Sequence, residues 1–169
     1  GQNEFQLAYR ILDPIEAHLR PHVEVTNLSA QDLSDAYVDR ADVVILDAPC
    51  SGEALMRRSN IARRQWSEKL IAKMAMLQKM LLAHSAVILK SGGKIFYSTC
   101  TFNILENEGV VKFGVDELGL QAASGVQVLE LLTRKNSGSF VPGIEREFGV
   151  ALFPHLSRGD GQTVSVLNS

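Results

Sequence analysis

Cysteine is almost absent from this chain: Cys50 and Cys100 are the only two in 169 residues. Two thiols cannot build the disulfide framework of a small secreted scaffold, and they favour a reducing compartment, the cytoplasm. Metal chemistry finds little footing. Cys50, Cys100, His18, His22, His84 and His155 show none of the usual ligand spacings, so no metal is expected. An excess of positive charge is lacking as well. Lys and Arg number 17 against 19 Asp and Glu, a net charge of -2. That excludes attachment to a nucleic acid by bulk charge alone, and any positive field that serves such a partner must be local. No uninterrupted apolar run reaches the ~18 residues that span a bilayer. The longest apolar region, Met74 to Leu89, is broken by Gln78, Lys79 and His84, and no membrane is expected. Internal repeats and low-complexity stretches are missing too. The opening Gly-Gln-Asn-Glu is neither a signal nor a transit peptide, and reads as a start in the middle of a fold.

What is present is the pattern of one α/β domain spanning residues 1–169, with 46% hydrophobic residues. Leu7, Ile11, Ile15 and Leu19 make a helical stripe over Gln6–Leu19, stopped by Pro21. Val23 and Val25 alternate in a short strand over His22–Asn27. Val43-Val44-Ile45-Leu46 is a β-branched run of the kind buried on both faces of a sheet. Ser67 and Glu68 open a long helix with Leu70, Met74, Leu77, Leu81 and Ile88 on one face, ended by Ser91-Gly92-Gly93. Lys94–Ser98 is a strand. Asn103 and Glu106 have the spacing of a reciprocal cap for a helix running to Leu118. Val126–Leu131 reads as a further strand. Gly149–Phe153 and Thr163–Leu167 read as a hairpin around Arg158-Gly159-Asp160-Gly161. The alternation predicts a mostly parallel sheet with helices on both faces, an antiparallel hairpin at its edge, and ligands at the carboxyl ends of the strands.

Two strands end in distinctive sequences. One gives Asp47-Ala48-Pro49-Cys50-Ser51-Gly52, the other Tyr97-Ser98-Thr99-Cys100-Thr101. A free cysteine is commonly a small buried hydrophobe. Here both cysteines follow a strand directly, and if those strands are neighbours both thiols reach one rim. Pro49 stiffens the first loop and Gly52 permits close backbone approach.

At these residues the chain resembles the Sun (NOL/Nop/Sun) family of RNA cytosine-5 methyltransferases. Asp47–Gly52 resembles the family's fourth motif and Ser98–Thr101 its sixth. Leu89–Gly93 resembles the helix-to-strand turn, Glu106-Asn107-Glu108 the helix after the nucleophile, and Phe153-Pro154-His155 with Gly159-Asp160-Gly161 the closing hairpin. Glu53 and Met56-Arg57-Arg58 suggest the bacterial ribosomal-RNA branch. The resemblance covers nearly the whole chain and implies a Rossmann-like class I methyltransferase fold. It also implies transfer of a methyl group from S-adenosylmethionine to C5 of a cytosine in RNA, ribosomal RNA by branch. C5 of cytosine is a poor nucleophile unaided. A thiolate adding at C6 makes the ring enamine-like, which divides one hard step into easier ones. The resemblance makes Cys100 that nucleophile, gives Asp47 the cytosine edge at N3, and gives Cys50 a part in product release. A second structural thiol is the plainer reading of Cys50.

The resemblance also places cofactor contacts. Asp47 and Pro49 belong to the fourth motif, Glu4 stands where an acid takes the ribose hydroxyls, and Ser29 stands near the adenine position in place of the usual carboxylate. The Gly-rich turn that grips the cofactor has no counterpart in this sequence. The chain therefore reads as a catalytic domain incomplete at its N-terminus, binding cofactor weakly alone, with the missing region or another copy of the chain as a possible complement. The alternative is a non-catalytic RNA-binding or assembly module on the same fold. Arg57, Arg58, Arg63, Arg64 and Trp66 suit phosphate contacts and base stacking, and suit a solvated loop and helix start equally.

Overall fold

A computed structural model describes residues 18–134, 143–156 and 159–169. The helix expected over Gln6–Leu19 falls mainly outside them, as does Glu4. Residues Arg20–His22 form a 3-10 turn around Pro21. The strand expected over His22–Asn27 does not form: the segment is irregular, and Val23 and Val25 find no partner strand. Helix α1 (Ala30–Ala36) follows, capped by Ser29. Strand β1 (Ala41–Asp47) then runs parallel to β2 (Leu89–Thr99). Between them lie a 3-10 turn (Glu53–Arg57), α2 (Asn60–Gln65) and the long α3 (Glu68–Ile88). After β2 come α4 (Glu108–Leu118), β3 (Gln121–Ala122), α5 (Gly125–Arg134), β4 (Ile144–Arg146), β5 (Gly149–Leu152) and β6 (Gln162–Asn168). The strand order is β1-β2-β6-β5-β4, with β3 beside β6. Among the described residues the pair β1–β2 is parallel and the other four pairings are antiparallel, including the expected β5–β6 hairpin, so the expected preponderance of parallel pairing is not found in this part of the sheet.

Helices cover both faces of the sheet, as alternation predicts. Strand β2 shows why: Ile95 and Tyr97 point to one side, Phe96 to the other. Ile95, Tyr97 and Leu167 pack with Leu82 of α3 and with Val110 and Val111 of α4. Phe96 packs with Val150, Val166 and Val128 of α5. Strand β1 is less covered than its β-branched run suggests. Val43 is 53% exposed and Ile45 77% exposed, because β1 is the edge of the described sheet.

Several sequence expectations are corrected in detail. Val126–Leu131 is helix, not strand: Ser124 Oγ accepts from Gln127 N at 3.4 Å while Ser124 N donates to Gln127 Oε1 at 2.9 Å. That reciprocal cap starts α5, and Val128 turns onto the sheet at helical spacing. Glu106 does not cap its helix. It is fully buried, and α4 begins only at Glu108. The face of α3 is rotated by one residue from the expected stripe. Its buried line is Ile71, Ala75, Gln78, Leu82 and Ser85. Polar residues stand at its centre because their donors find partners there, the Ser85 hydroxyl at the carbonyl of Leu81, 2.9 Å away, and the Gln78 amide nitrogen at the site itself. Helix α3 bears on the membrane expectation without overturning it. Among the described residues it is the one helix long and apolar enough, by length and composition only, to cross a bilayer. In this fold it packs on β1, β2, α1 and α4. Ser91-Gly92-Gly93 lies within β2 rather than ending α3, which stops at Ile88 where Leu89 turns extended.

Candidate active site

The parallel register of β1 and β2 sets Asp47 opposite Ser98. Both chains leave the sheet at the same rim, so the loops after them are neighbours. Ala48 N donates to Ser98 O at 2.9 Å, and Ala54 N donates to Cys100 O at 3.0 Å. Gly52 takes φ +75°, a left-handed turn that bends the first loop back into the 3-10 turn. The result is the pairing the two motifs implied: Cys50 Sγ lies 2.8 Å from Cys100 Sγ, both as free thiols.

The two thiols are inequivalent. A hydrogen bond from the Cys50 thiol holds Cys100 below the ordinary value, at about 7. Burial and the nearby Asp47 and Glu106 carboxylates oppose that shift, and its own backbone amide assists it. The same hydrogen bond to Cys100, with burial, pushes Cys50 strongly upward. Of the two, Cys100 is therefore the thiol that ionises first, stabilised by its contact with Cys50.

These thiols open into a cavity of about 680 Å³, also lined by Asp47, Pro49, Asp160 and Gln162. Sites for small ligands run to roughly 300–1,000 Å³, so the space fits a nucleoside-sized group. Asp47 Oδ1 accepts from Ser98 Oγ at 2.8 Å and from Gln162 Nε2 at 3.5 Å. Of the expected cofactor residues, Asp47 and Pro49 line this cavity. Ser29 does not: its hydroxyl accepts from Asp32 N at 3.1 Å as the cap of α1.

The arginine-rich segment divides. Arg58 pairs with Asp160, joining the 3-10 turn to the loop before β6 at the cavity wall. Arg63, also exposed, donates to the carbonyls of Met56 and, at 3.1 Å, Arg57. Trp66 Nε1 donates to Glu53 Oε1 at 3.2 Å, while Glu53 Oε2 accepts from Phe102 N at 3.0 Å. Arg57 and Arg64 are exposed. So Arg63 and Trp66 brace the segment, and Arg57, Arg58 and Arg64 give it a local positive face.

Beneath both loops lies a buried polar layer whose roles the sequence did not reveal. Gln78 from α3 and Glu106 from the turn before α4 are each 0% exposed. Gln78 Nε2 donates to Pro49 O at 2.8 Å and to Glu106 Oε2 at 2.9 Å. Glu106 Oε2 also accepts from Ser51 N at 2.9 Å. Asn107 holds the second loop: its Oδ1 accepts from Thr99 Oγ1 at 2.7 Å and its Nδ2 donates to Thr101 O at 3.1 Å. Ser51 Oγ and Thr101 Oγ1 join the two loops at 3.1 Å. The one available signal was Gln78 itself, a polar break in an apolar helix. Among the described residues no group of three or more His, Cys, Asp or Glu side chains is placed to hold a metal ion.

The family described as 16S rRNA methyltransferase RsmB/F matches residues 14–168. The chain belongs to that family. Over 98 residues it is 37% identical to the ribosomal RNA small subunit methyltransferase F of Aeromonas hydrophila, covering 58% of this chain and 21% of that protein. Over 92 residues it is 35% identical to the protein so named in Shewanella putrefaciens, covering 54% of this chain and 19% of that one. The chain thus spans about a fifth of the length of the curated relatives it matches. Among solved structures it is similar in fold to NSun6 from Pyrococcus horikoshii with SFG. That match has a TM-score of 0.63 and 22% identity, over 99% of this chain and 39% of that one. A methyltransferase homolog protein from the same organism gives a TM-score of 0.63 and 20% identity, over 98% and 49%. For this RsmB/F family member the Rossmann-like α/β class expected from the motifs is the fold found.

Proposed function

We propose that this RsmB/F family chain carries the catalytic thiols of an enzyme that methylates C5 of cytosine in ribosomal RNA. The observation that carries the proposal is the 2.8 Å contact between Cys50 and Cys100 in the lining of the cavity. Cys100 is the nucleophile. Its thiolate adds to C6 of the cytosine, and the electron pair of the C5–C6 double bond moves toward N3. Asp47 is the group on the cavity wall that serves the N3 edge. Asp47 and Pro49 are the lining residues that would hold S-adenosylmethionine, which when bound would supply an electrophilic methyl group to the activated C5 and leave as S-adenosylhomocysteine. Loss of the C5 proton and cleavage of the C6–S bond then return Cys100 as a thiolate. Cys50, whose sulfur lies 2.8 Å from the departing sulfur, assists that cleavage. The target base must be unpaired or extruded to reach thiols recessed in a cavity. Arg57, Arg58 and Arg64 are the side chains proposed to meet the phosphates around it.

The test is the RNA–protein adduct in the intact protein, resolved on denaturing gels. Cys100→Ala is expected to abolish the adduct. Cys50→Ala is expected to form it and accumulate it. An adduct that persists without Cys100 would overturn the assignment of the nucleophile.

A further inference from the structure

Glu106 stands in an unusual position. Its carboxyl group is fully buried, and no lysine or arginine side chain hydrogen-bonds to it among the described residues. Burying such a group without a countercharge is unfavourable unless hydrogen bonds replace its water. Its Oε2 has two donors, Gln78 Nε2 and Ser51 N, while Oε1 has none. Both donors lead to one place. Ser51 N is the peptide group after Cys50, and Gln78 reaches the carbonyl of Pro49, just before it. The backbone on both sides of Cys50 is therefore clasped by one side-chain pair. Tyr97 fixes the clasp from below, its hydroxyl donating to the Glu106 carbonyl at 2.5 Å. The next residue, Asn107, does the same for Thr99 and Thr101 on either side of Cys100.

We infer that Gln78 and Glu106 are positioning residues for Cys50, and that Asn107 is the matching one for Cys100. Neither Gln78 nor Glu106 lines the cavity, so neither touches substrate. They act by fixing the Cys50 peptide, and through it the contact between the two sulfurs. The part of this inference that concerns product release rests on the proposed methylation. The part that concerns thiol placement does not.

The Cys100 sulfur feels Cys50 and Asp47 beside it and Glu106 from beneath the loops, while Asp160, paired with Arg58, lines the same cavity. They give the test a sign. If Glu106 acted only through its charge, Glu106→Gln would lower the pH at which Cys100 ionises. If it acts by holding Cys50, the same substitution raises that pH, because the S–H donor is lost. Gln78→Met removes the amide with no change of charge and should move it upward too. The measurement is the rate of alkylation of Cys100 by iodoacetamide against pH, read by peptide mass spectrometry on the intact protein. Each variant is expected to alkylate at pH 7 roughly tenfold more slowly than the parent, as a thiol returned toward its ordinary ionisation would. Thermal melts accompany each variant, and Gln78→Met carries the test if Glu106→Gln does not fold. An unchanged or lowered midpoint in a folded Gln78→Met variant would overturn the inference.

With RNA present, both variants should accumulate the covalent adduct as Cys50→Ala does, whereas Asn107→Leu should form less of it. Free turnover in both variants, alongside a trapped Cys50→Ala adduct, would overturn the positioning role in release. Shifted alkylation midpoints with no adduct in the parent protein would support the positioning and count against the methylation reading alone.

Discussion

At the scale of single residues, the site depends on how one proton is shared between two sulfurs. Cys100 ionises at about 7 because Cys50 donates to it. Alkylation of Cys100 should therefore fall as pH drops through 7, where the thiolate takes up a proton. In Cys50→Ala the midpoint should rise toward the ordinary thiol value of ~8.5. A Cys50→Ala midpoint still near 7 would show that another group depresses it. Gly161 makes a second residue-scale prediction. It holds φ +106°, and a Cβ there would lie 2.7 Å from the Phe102 ring and 3.1 Å from Leu152 O. Gly161→Ala should lose roughly 1–3 kcal/mol in urea melts, from backbone strain and from displacement of a ring stacked on Phe153. How much of this was legible varies by residue. Cys50, Cys100 and Asp47 were readable because their motifs follow strands directly. Gln78 and Glu106 were not, because they hold backbone groups of a loop 29 and 55 residues away. No local pattern marks such a contact.

At the scale of elements, caps and periodicity explain both success and failure. Helix α3 starts where Ser67 predicts, its Oγ accepting from Leu70 N at 3.1 Å. Ser67→Ala should lower stability by ~1 kcal/mol in urea melts. An effect near zero would mean that tertiary packing alone fixes this end. Strands β1, β2, β5 and β6 were visible as apolar runs with period two or as continuous β-branched segments. Helix α5 was misread as strand because Val126, Val128 and Leu131 suit either period over so short a window. The deciding signal was Ser124, just before the apolar run, three residues ahead of Gln127 within it. The face of α3 was misplaced because the pattern counted only apolar positions. Its buried line includes Gln78 and Ser85, which no hydrophobicity count includes.

At the scale of the molecule, the sheet brings two motifs fifty residues apart to one rim, and the helices lock them from beneath. The cavity between them is expected to hold cofactor poorly on its own. Asp47 and Pro49 line it, while Ser29 is committed to α1. Calorimetric titration of this chain with S-adenosylmethionine should show a Kd weaker than ~100 µM, a binding free energy near −5 kcal/mol. Tight 1:1 binding would mean that the cavity already contains a sufficient site. The parallel register has a further consequence, and it concerns heredity rather than chemistry. Ile95 and Tyr97 are buried in the core, while Ser98 meets Asp47 on the opposite side. Side chains alternate along a strand, so losing one residue of β2 would exchange those faces. A single-codon deletion between Lys94 and Thr99 would turn Tyr97 out of the core and carry Cys100 away from Cys50 together. Natural variation in this gene should therefore tolerate substitutions along β2 far more readily than changes in its length.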